Sequence, residues 1–322
     1  MVTLGIETTC DESAAAIVKD GKEILSNIVY SQEEHKQFGG VFPELASRRH
    51  AELIIPVIDR AITSAGIRPK EIALIGVARG PGLMGSLLVG ITAAKALSLA
   101  WKIPFIGVNH VEAHLFAPMM TAPNDKKSIG VVLSGGHTFL VAIEGGSYRL
   151  LGTTVDDAIG EAFDKVATIL GLGYPGGAKL EKLALQGDPN AVSFPSGKVK
   201  GSPLNFSFSG LKTSVLYRKN EASPADIAAS FQKSAFLDVI EKTLLAATIE
   251  GTNRVFLGGG VCQNSRLQEM FTLKAPHLEL FFAPPYLCTD NGAMIAAYAF
   301  YKYHEGDTFD LEAMPRMGYT IH

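Results

Sequence analysis

The sequence predicts two α/β lobes, each a mixed sheet packed by helices, and three observations lead there. A chain of 322 residues at roughly 150 per domain gives about two domains, and 47% hydrophobic residues supply real cores. Short apolar strands alternate with segments of helical periodicity, which argues for helices on sheets. The order of these elements in the first half is repeated in the second, so a duplicated architecture is expected.

In the first half, Leu4–Glu7 is a short apolar strand, 8–13 a polar turn, 14–18 a second strand, 20–22 a turn and 23–29 a third strand. In the second half, 129–133 is the strand, 134–138 the turn, 139–143 the next strand, 144–146 a turn and 148–151 the third strand. The tight turns make each opening hairpin antiparallel, hence a mixed sheet. Helical spacing then appears over 44–65 and over 156–172, the latter opening on Asp156-Asp157 as an N-cap signal. A buried strand with a glycine turn follows in each half, 74–78 before Gly80-Pro81-Gly82 and 255–257 before Gly258-Gly259-Gly260. The last strands, 105–108 and 278–283, each run into a helix. The expected domains are 1–128 and 129–322, with the final helix near 293–304 free to pack back on the first lobe, and a cleft between them in which ligands sit beyond the strand carboxyl ends.

Charge and composition narrow the function classes. Twenty-nine basic against 32 acidic residues give a net charge of −3, so no whole-chain basic field attracts nucleic acid, and RNA binding must use a local or shared surface. Basic runs such as Arg48-Arg49-His50, Lys126-Lys127 and Arg218-Lys219 read as solvated faces and lack interleaved aromatics. The longest uncharged stretches, 80–94 and 128–143, are glycine-broken and shorter than the roughly 20 residues a bilayer demands, so no membrane is expected. Three scattered cysteines, Cys10, Cys262 and Cys288, form neither a disulfide framework nor a zinc motif. With an N-terminus that reads as a strand, this points to the cytoplasm.

The strongest chemical signal is His110-Val111-Glu112-Ala113-His114. A helix opening near Asn109 puts both imidazoles on one face at i and i+4, where they can reach one divalent metal. Two ligands need a carboxylate, and Asp290, after the last strand of the second half, is the candidate; duplication would bring it from the opposite lobe. A zincin-type protease is disfavoured, because the position after the first histidine is Val111 and Glu112 lies about 200° round the helix from His110. The loops 134–137 and 258–260 offer backbone amides to phosphate groups. Asp164 on an inserted helix and the Gly176-Gly177 pair are subtler candidates for a ribose contact and a close backbone approach.

Taken together, Gly5–Glu12, Asn109–His114, Ser134–Thr138, Gly160–Lys165, Tyr174–Gly177, Phe206–Thr213 and Cys288–Asn291 resemble the TsaD family of tRNA threonylcarbamoyl transferases, over 4 to about 301. The resemblance implies an actin/Hsp70-like (ASKHA) fold of two duplicated RNase H-like lobes with mixed sheets and a central cleft. It implies an acyltransferase that moves threonylcarbamoyl from threonylcarbamoyl-AMP to the N6 amine of the adenosine 3′ of the anticodon, in tRNAs reading ANN codons, forming threonylcarbamoyladenosine. By motif, His110, His114 and Asp290 match the ligands of one divalent ion, Fe²⁺ or Zn²⁺, with Mg²⁺ a further candidate. Val132, Leu133, Ser134, Gly135, Gly136, Asp164, Gly177 and Asn264 match positions that hold the donor or an ATP, ADP or AMP in its place, and Glu181 stands where some members have a shorter Asp. The implied partners are tRNA, a smaller actin-like paralogue (TsaB type), an ATPase subunit (TsaE type) and a donor-making synthase (TsaC type), with a homodimer as the assembly of the chain alone. Asp11, Glu12 and His137, on loops after the first strand of each half, are the candidate base and orienting groups for the reaction. An ATPase or phosphotransferase on the same fold, and a non-catalytic scaffold, are the alternatives from other classes.

Overall fold

The computed structural model describes residues 1–38, 40–122, 126–195, 197 and 199–317. The chain divides into two compact units. One gathers Met1–Ala122 and the segment that begins at Thr289; the other is the intervening stretch that ends at Cys288. The first unit is therefore discontinuous, a feature that a single boundary after residue 128 does not provide.

In the first unit, β1 (Val2–Glu7), β2 (Glu12–Lys19), β3 (Glu23–Ser31), β4 (Leu74–Gly80) and β5 (Phe105–Asn109) form one sheet in the order β3-β2-β1-β4-β5. The two hairpin pairs are antiparallel, and β1–β4 and β4–β5 are parallel, with Leu4 opposite Ile75. Helices α1 (Pro43–Ser64) and α2 (Met84–Trp101) pack on each other and on this sheet. α2 is long and apolar enough by length and composition to cross a membrane; here it lies against α1 and β4. The short α3 (His110–Phe116) continues directly from β5.

The second unit repeats the plan. β6 (Ser128–Leu133), β7 (Thr138–Glu144), β8 (Ser147–Thr153), β9 (Arg254–Gly258) and β10 (Glu279–Phe282) stand in the order β8-β7-β6-β9-β10, with β6–β9 and β9–β10 parallel. Its helices are α4 (Ile159–Ile169), α5 (Gly177–Ala184), α6 (Ser209–Arg218), α7 (Pro224–Glu250), α8 (Ser265–Lys274) and the single turn α9 (Pro285–Cys288). The core gathers Ile129, Val131 and Leu133 of β6 with Phe163, Phe231, Phe236 and Phe271 from the helices. Fully burying side chains of this size is worth roughly 1.5–3 kcal/mol each.

Two sequence expectations need correction. The helix expected over 156–172 spans only Ile159–Ile169, and Asp156 does not cap it. Its carboxylate instead accepts from Phe208 N (2.8 Å) and Ser209 N (3.2 Å) and from the Ser207 and Ser209 hydroxyls, fixing the start of α6. The 27-residue α7, the longest helix described, has apolar residues around most of its circumference, so it carries no amphipathic stripe to mark it in the sequence.

The last helix, α10 (Gly292–Lys302), belongs to the first unit and crosses β1, β2 and β4. Small residues make that crossing tight. A Cβ at Gly5 would lie 2.1 Å from the Gly292 carbonyl oxygen, one at Gly76 would lie 2.4 Å from the Ala299 methyl, and one at Gly292 would lie 2.5 Å from Ala16 N.

Gly5→Ala therefore overpacks the helix–sheet contact and is expected to lower stability by about 1–3 kcal/mol, read as the midpoint of denaturant unfolding; an unchanged midpoint would contradict the tight crossing. A second prediction concerns Asp156, which its hydrogen bonds hold below the usual carboxylate range although burial opposes them. Because the folded-state pKa is depressed, the stabilisation is present above the unfolded value near 3.9 and is lost as pH falls through the folded one. Asp156→Ala should cost about 1 kcal/mol at neutral pH, the usual worth of a helix cap, and the gap to wild type should narrow as pH falls below the unfolded value near 3.9.

Candidate metal centre and ligand turns

In the first unit the sequence builds a metal-competent cluster at the junction of β5 and α3. Asn109 Oδ1 accepts from Val111 N (2.9 Å) and Glu112 N (3.2 Å), so the helix starts where the histidine spacing requires. His110 and His114 are buried, with ring centroids 4.7 Å apart at an interplanar angle of 87°. Asp290 stands two residues before α10, and it is not that helix's cap: Asn291 takes the role by accepting from Met294 N (2.9 Å). The Asp290 carboxylate is thus left to approach the imidazoles, Oδ1 lying 2.9 Å from His114 Nε2 and 3.6 Å from His110 Nε2. One ligand atom from each residue falls within 4.8 Å of the others. The expectation that Asp290 comes from the opposite lobe is corrected: α10 docks on the first sheet, so Asp290 shares a unit with both histidines.

Glu7 forms a supporting layer that the sequence reading quoted in a motif but gave no role. It is fully buried at the end of β1; Oε2 lies 2.8 Å from His110 Nδ1 and Oε1 accepts from Thr9 N (2.6 Å). A carboxylate closing an otherwise apolar strand was the available signal, since a buried charge needs a partner. Orientation of a ligating imidazole by a carboxylate on its other nitrogen is a recurrent feature of metal sites.

The electrostatics are crowded with negative charge. Burial pushes the His110 imidazole down, but Glu7 and Asp290 outweigh it and raise it to about 9. Glu12 is pushed up to about 10 by burial, by Asp290 and by Asp11, with which it shares a hydrogen bond. Burial and the same acids raise the Cys10 thiol far above its usual value. Two imidazoles and a carboxylate are the donor set that borderline divalent ions take, and bonds of about 2.1 Å give tetrahedral ligand–ligand separations of roughly 3.4 Å. The observed 2.9 and 3.6 Å bracket that value. The residues fit a divalent cation, which would also offset the clustered carboxylates.

Glu112 points elsewhere: its Oε2 accepts from the Tyr298 hydroxyl on α10, consistent with its poor placement as a protease base.

In the second unit, β6 delivers the buried Val132 and Leu133 to a tight turn in which Ser134 N donates to His137 O (2.8 Å) and His137 N to Ser134 Oγ (3.0 Å). Gly135 and Gly136 at its tip are exposed, with open space where a Cβ would stand. The N-terminus of α4 backs this turn, Gly160 N donating to Ser134 O (3.2 Å), and a Cβ at Gly160 would lie 2.7 Å from that oxygen. Gly259 takes φ +95° and approaches Leu133 O so closely that a Cβ would sit 2.5 Å away, which is why the 258–260 turn needs glycine.

Three candidate ligand residues make hydrogen bonds within the protein. Asp164 Oδ1 accepts from Gly176 N (2.8 Å) and Gly177 N (3.0 Å), pinning the glycine pair. Glu181 Oε1 accepts from Ser265 N and Oγ, both at 2.9 Å, joining α5 to the start of α8. Asn264 caps α8 through Arg266 N and Leu267 N and donates to Gln232 Oε1 (2.9 Å). Asp11, on the β1–β2 connection, and Glu12, the first residue of β2, lie in the first unit near enough to Asp290 for it to act on Glu12, while His137 lies in the second.

A sheet order repeated in two lobes, with polar and glycine turns after the first strand of each, defines an actin-like α/β protein. Solved structures agree on the fold. The chain superposes on the HypF protein of T. kodakarensis with a TM-score of 0.66 at 18% identity, covering 93% of this chain and 47% of that one. It superposes on component A of the Acidaminococcus fermentans (R)-2-hydroxyglutaryl-CoA dehydratase with a TM-score of 0.58 at 18% identity, covering 94% and 98%. Residues 23–297 match the model of the family TsaD, tRNA N6-adenosine threonylcarbamoyltransferase, and the chain belongs to that family. Proteins of that name from Protochlamydia amoebophila (52% identical, covering 98% of each chain) and Trichlorobacter lovleyi (50% identical, covering 92% of this chain and 90% of that one) are among its relatives.

A cation bound only by the folded chain stabilises it by mass action, about 2.7 kcal/mol at a hundred times Kd. Adding Zn²⁺ to metal-stripped protein should therefore raise Tm, and His114→Ala should abolish the rise; an equal rise in the variant would place the ion elsewhere.

Proposed function

We propose that the chain transfers threonylcarbamoyl from threonylcarbamoyl-AMP to the N6 amine of the adenosine 3′ of the anticodon in tRNAs reading ANN codons. The observation that carries this reading is the convergence of His110, His114 and Asp290, backed by Glu7, in a member of this family. The new bond joins N6 to the carbamoyl carbon; the bond from that carbon to the phosphate oxygen breaks, AMP leaves with the electron pair, and the amine proton passes to a base. A divalent ion held by the triad, Fe²⁺ or Zn²⁺, supplies Lewis-acid polarisation when bound.

The protein's own groups divide the remaining work. Glu12, whose carboxyl is pushed up by burial, Asp290 and Asp11 when the triad holds no ion, orients Asp11 through the hydrogen bond they share. Asp11, on the same turn and hydrogen-bonded to Glu12, is the base we assign. In the second unit, the Ser134–His137 turn and the start of α4 present amides for the adenylate phosphate, and His137 orients it. Asp164 and Asn264 act on the adenylate by fixing the Gly176-Gly177 pair and the start of α8, and Glu181 does so through Ser265.

The working assembly is cytoplasmic and includes tRNA, a smaller actin-like paralogue, an ATPase subunit and a donor-making synthase. Exposed apolar residues support a protein partner: Met84, Leu88 and Leu99 share one face of α2, and Ile55 on α1 is also exposed. With a net charge of −3, tRNA affinity depends on a surface shared with such partners.

Mass spectrometry of tRNA nucleosides after incubation with threonine, bicarbonate, ATP, the partner proteins and this chain tests the reading. Wild type should form threonylcarbamoyladenosine, and the double variant His110→Ala, His114→Ala should form none while remaining folded. Transfer by the double variant at the wild-type rate would overturn it.

A further inference from the structure

Behind the β1–β2 turn lies a buried polar network to which the reaction above gives no role. Ser13 and His50 are fully buried, and His35 and Gln32 nearly so. His50 Nδ1 lies 2.7 Å from Ser13 Oγ, and its Nε2 lies 3.0 Å from the Cys10 carbonyl oxygen. Gln32 Nε2 donates to Ala46 O (3.3 Å), and Gln32 Oε1 lies 3.0 Å from His35 Nε2, whose Nδ1 accepts from Phe42 N (3.3 Å). Burying so many polar groups is costly unless every one is matched, and a matched network fixes one conformation of the chain it holds.

That chain is the turn carrying Asp11 and Glu12. Three successive carbonyls along it are each claimed by a donor from a different element. Thr9 O accepts from Leu83 N (2.8 Å), Cys10 O from His50 Nε2 (3.0 Å) and Asp11 O from Gln32 N (3.0 Å). Leu83 and Gln32 donate through the backbone, which any residue there supplies. His50 alone of the three uses its side chain, reaching from the middle of the first long helix, α1, into the turn.

The chemistry fixes the tautomer. A carbonyl only accepts, so Nε2 carries the hydrogen, and Nδ1 of the neutral ring accepts from the Ser13 hydroxyl. Burial pushes the imidazole down, against the pull of the Cys10 carbonyl and the nearby Glu7 and Asp11, which keeps the ring neutral.

We propose that His50 is a positioning residue of the transfer reaction: clamped by Ser13, it holds the Cys10 carbonyl and so sets the Asp11–Glu12 carboxylates in their working place. This rests on the functional reading above, and the test separates the two. Reacting groups displaced by about 1 Å lose on the order of a hundredfold in rate, so the effect belongs in kcat rather than in KM for tRNA.

Two substitutions divide the ring's two bonds. In His50→Gln the side-chain amide reaches as far as Nε2 and can still donate to Cys10 O. In His50→Asn it reaches only as far as Nδ1, keeping Ser13 and losing Cys10. Both are measured in the reconstituted reaction, alongside metal content, Tm, and hydrogen exchange of the peptide spanning 8–13. The expected result is that His50→Asn loses about a hundredfold in kcat with KM for tRNA and metal content unchanged, and exchanges faster in 8–13 only. His50→Gln should stay within about threefold of wild type and keep its protection. Wild-type kcat in His50→Asn, or equal losses in both variants that follow their Tm, would overturn the positioning role. A wild-type chain that transfers nothing defeats the functional reading; the exchange contrast between the variants then still decides whether His50 holds the turn.

Discussion

The seating of α10 on the first sheet is the constraint from which the metal centre follows. Glycines at 5, 76 and 292 remove the side chains that would hold helix and strands apart, and Ala16, Ala296 and Ala299 fill the seam with the smallest alternatives. The chain leaves the first unit at residue 122 and returns at Thr289, and the helix it brings carries Asp290 just ahead of its first turn. Asn291 satisfies the helix end, so Asp290 is spared that duty and approaches His110 and His114. Close packing at apolar positions thus places three polar ones.

The site so made is electrostatically unbalanced. Burial, Asp290, Asp11 and Glu7 together raise Glu12, and Glu7 and Asp290 raise the imidazole of His110 against the effect of its burial. Like charges gathered in a poorly solvated place must take up protons or a cation. A divalent ion held by the two imidazoles and Asp290 would answer that need, and Glu7, 2.8 Å from His110 Nδ1, would hold that ring in place for it. The carboxylate turn is held from behind by neutral groups, which stiffen it without adding to the charge.

Much of this was legible in the sequence. The hairpin and parallel-strand plan of each lobe is legible because short apolar runs and glycine turns are local signals, and they fall where the repeated sheet order places them. The i, i+4 histidines could be read because helix geometry is regular and Asn109 marks the start. What escaped depends on contacts distant in the chain. Asp156 looked like a cap for the segment after it, yet bonds to residues 207–209, some fifty positions on. Glu7 reads as one polar residue closing an apolar strand, and His50 as the end of a solvated basic run after Arg48 and Arg49, until folding brings His110 to the first and buries the second against Cys10. Asp290 reads as a candidate ligand, and the structure brings it to both histidines, but pseudo-symmetry assigns it to the wrong unit, because it follows a strand of the second half while the helix it precedes returns to the first sheet.

The most direct test of the central claim is an anomalous-difference map from crystals of the purified chain, collected above the absorption edge of the metal it retains. The account predicts one dominant peak per chain, within bonding distance of His110 Nε2, His114 Nε2 and an Asp290 oxygen. A map with its metal peak on other residues, or with Asp290 turned away from both histidines, would contradict it.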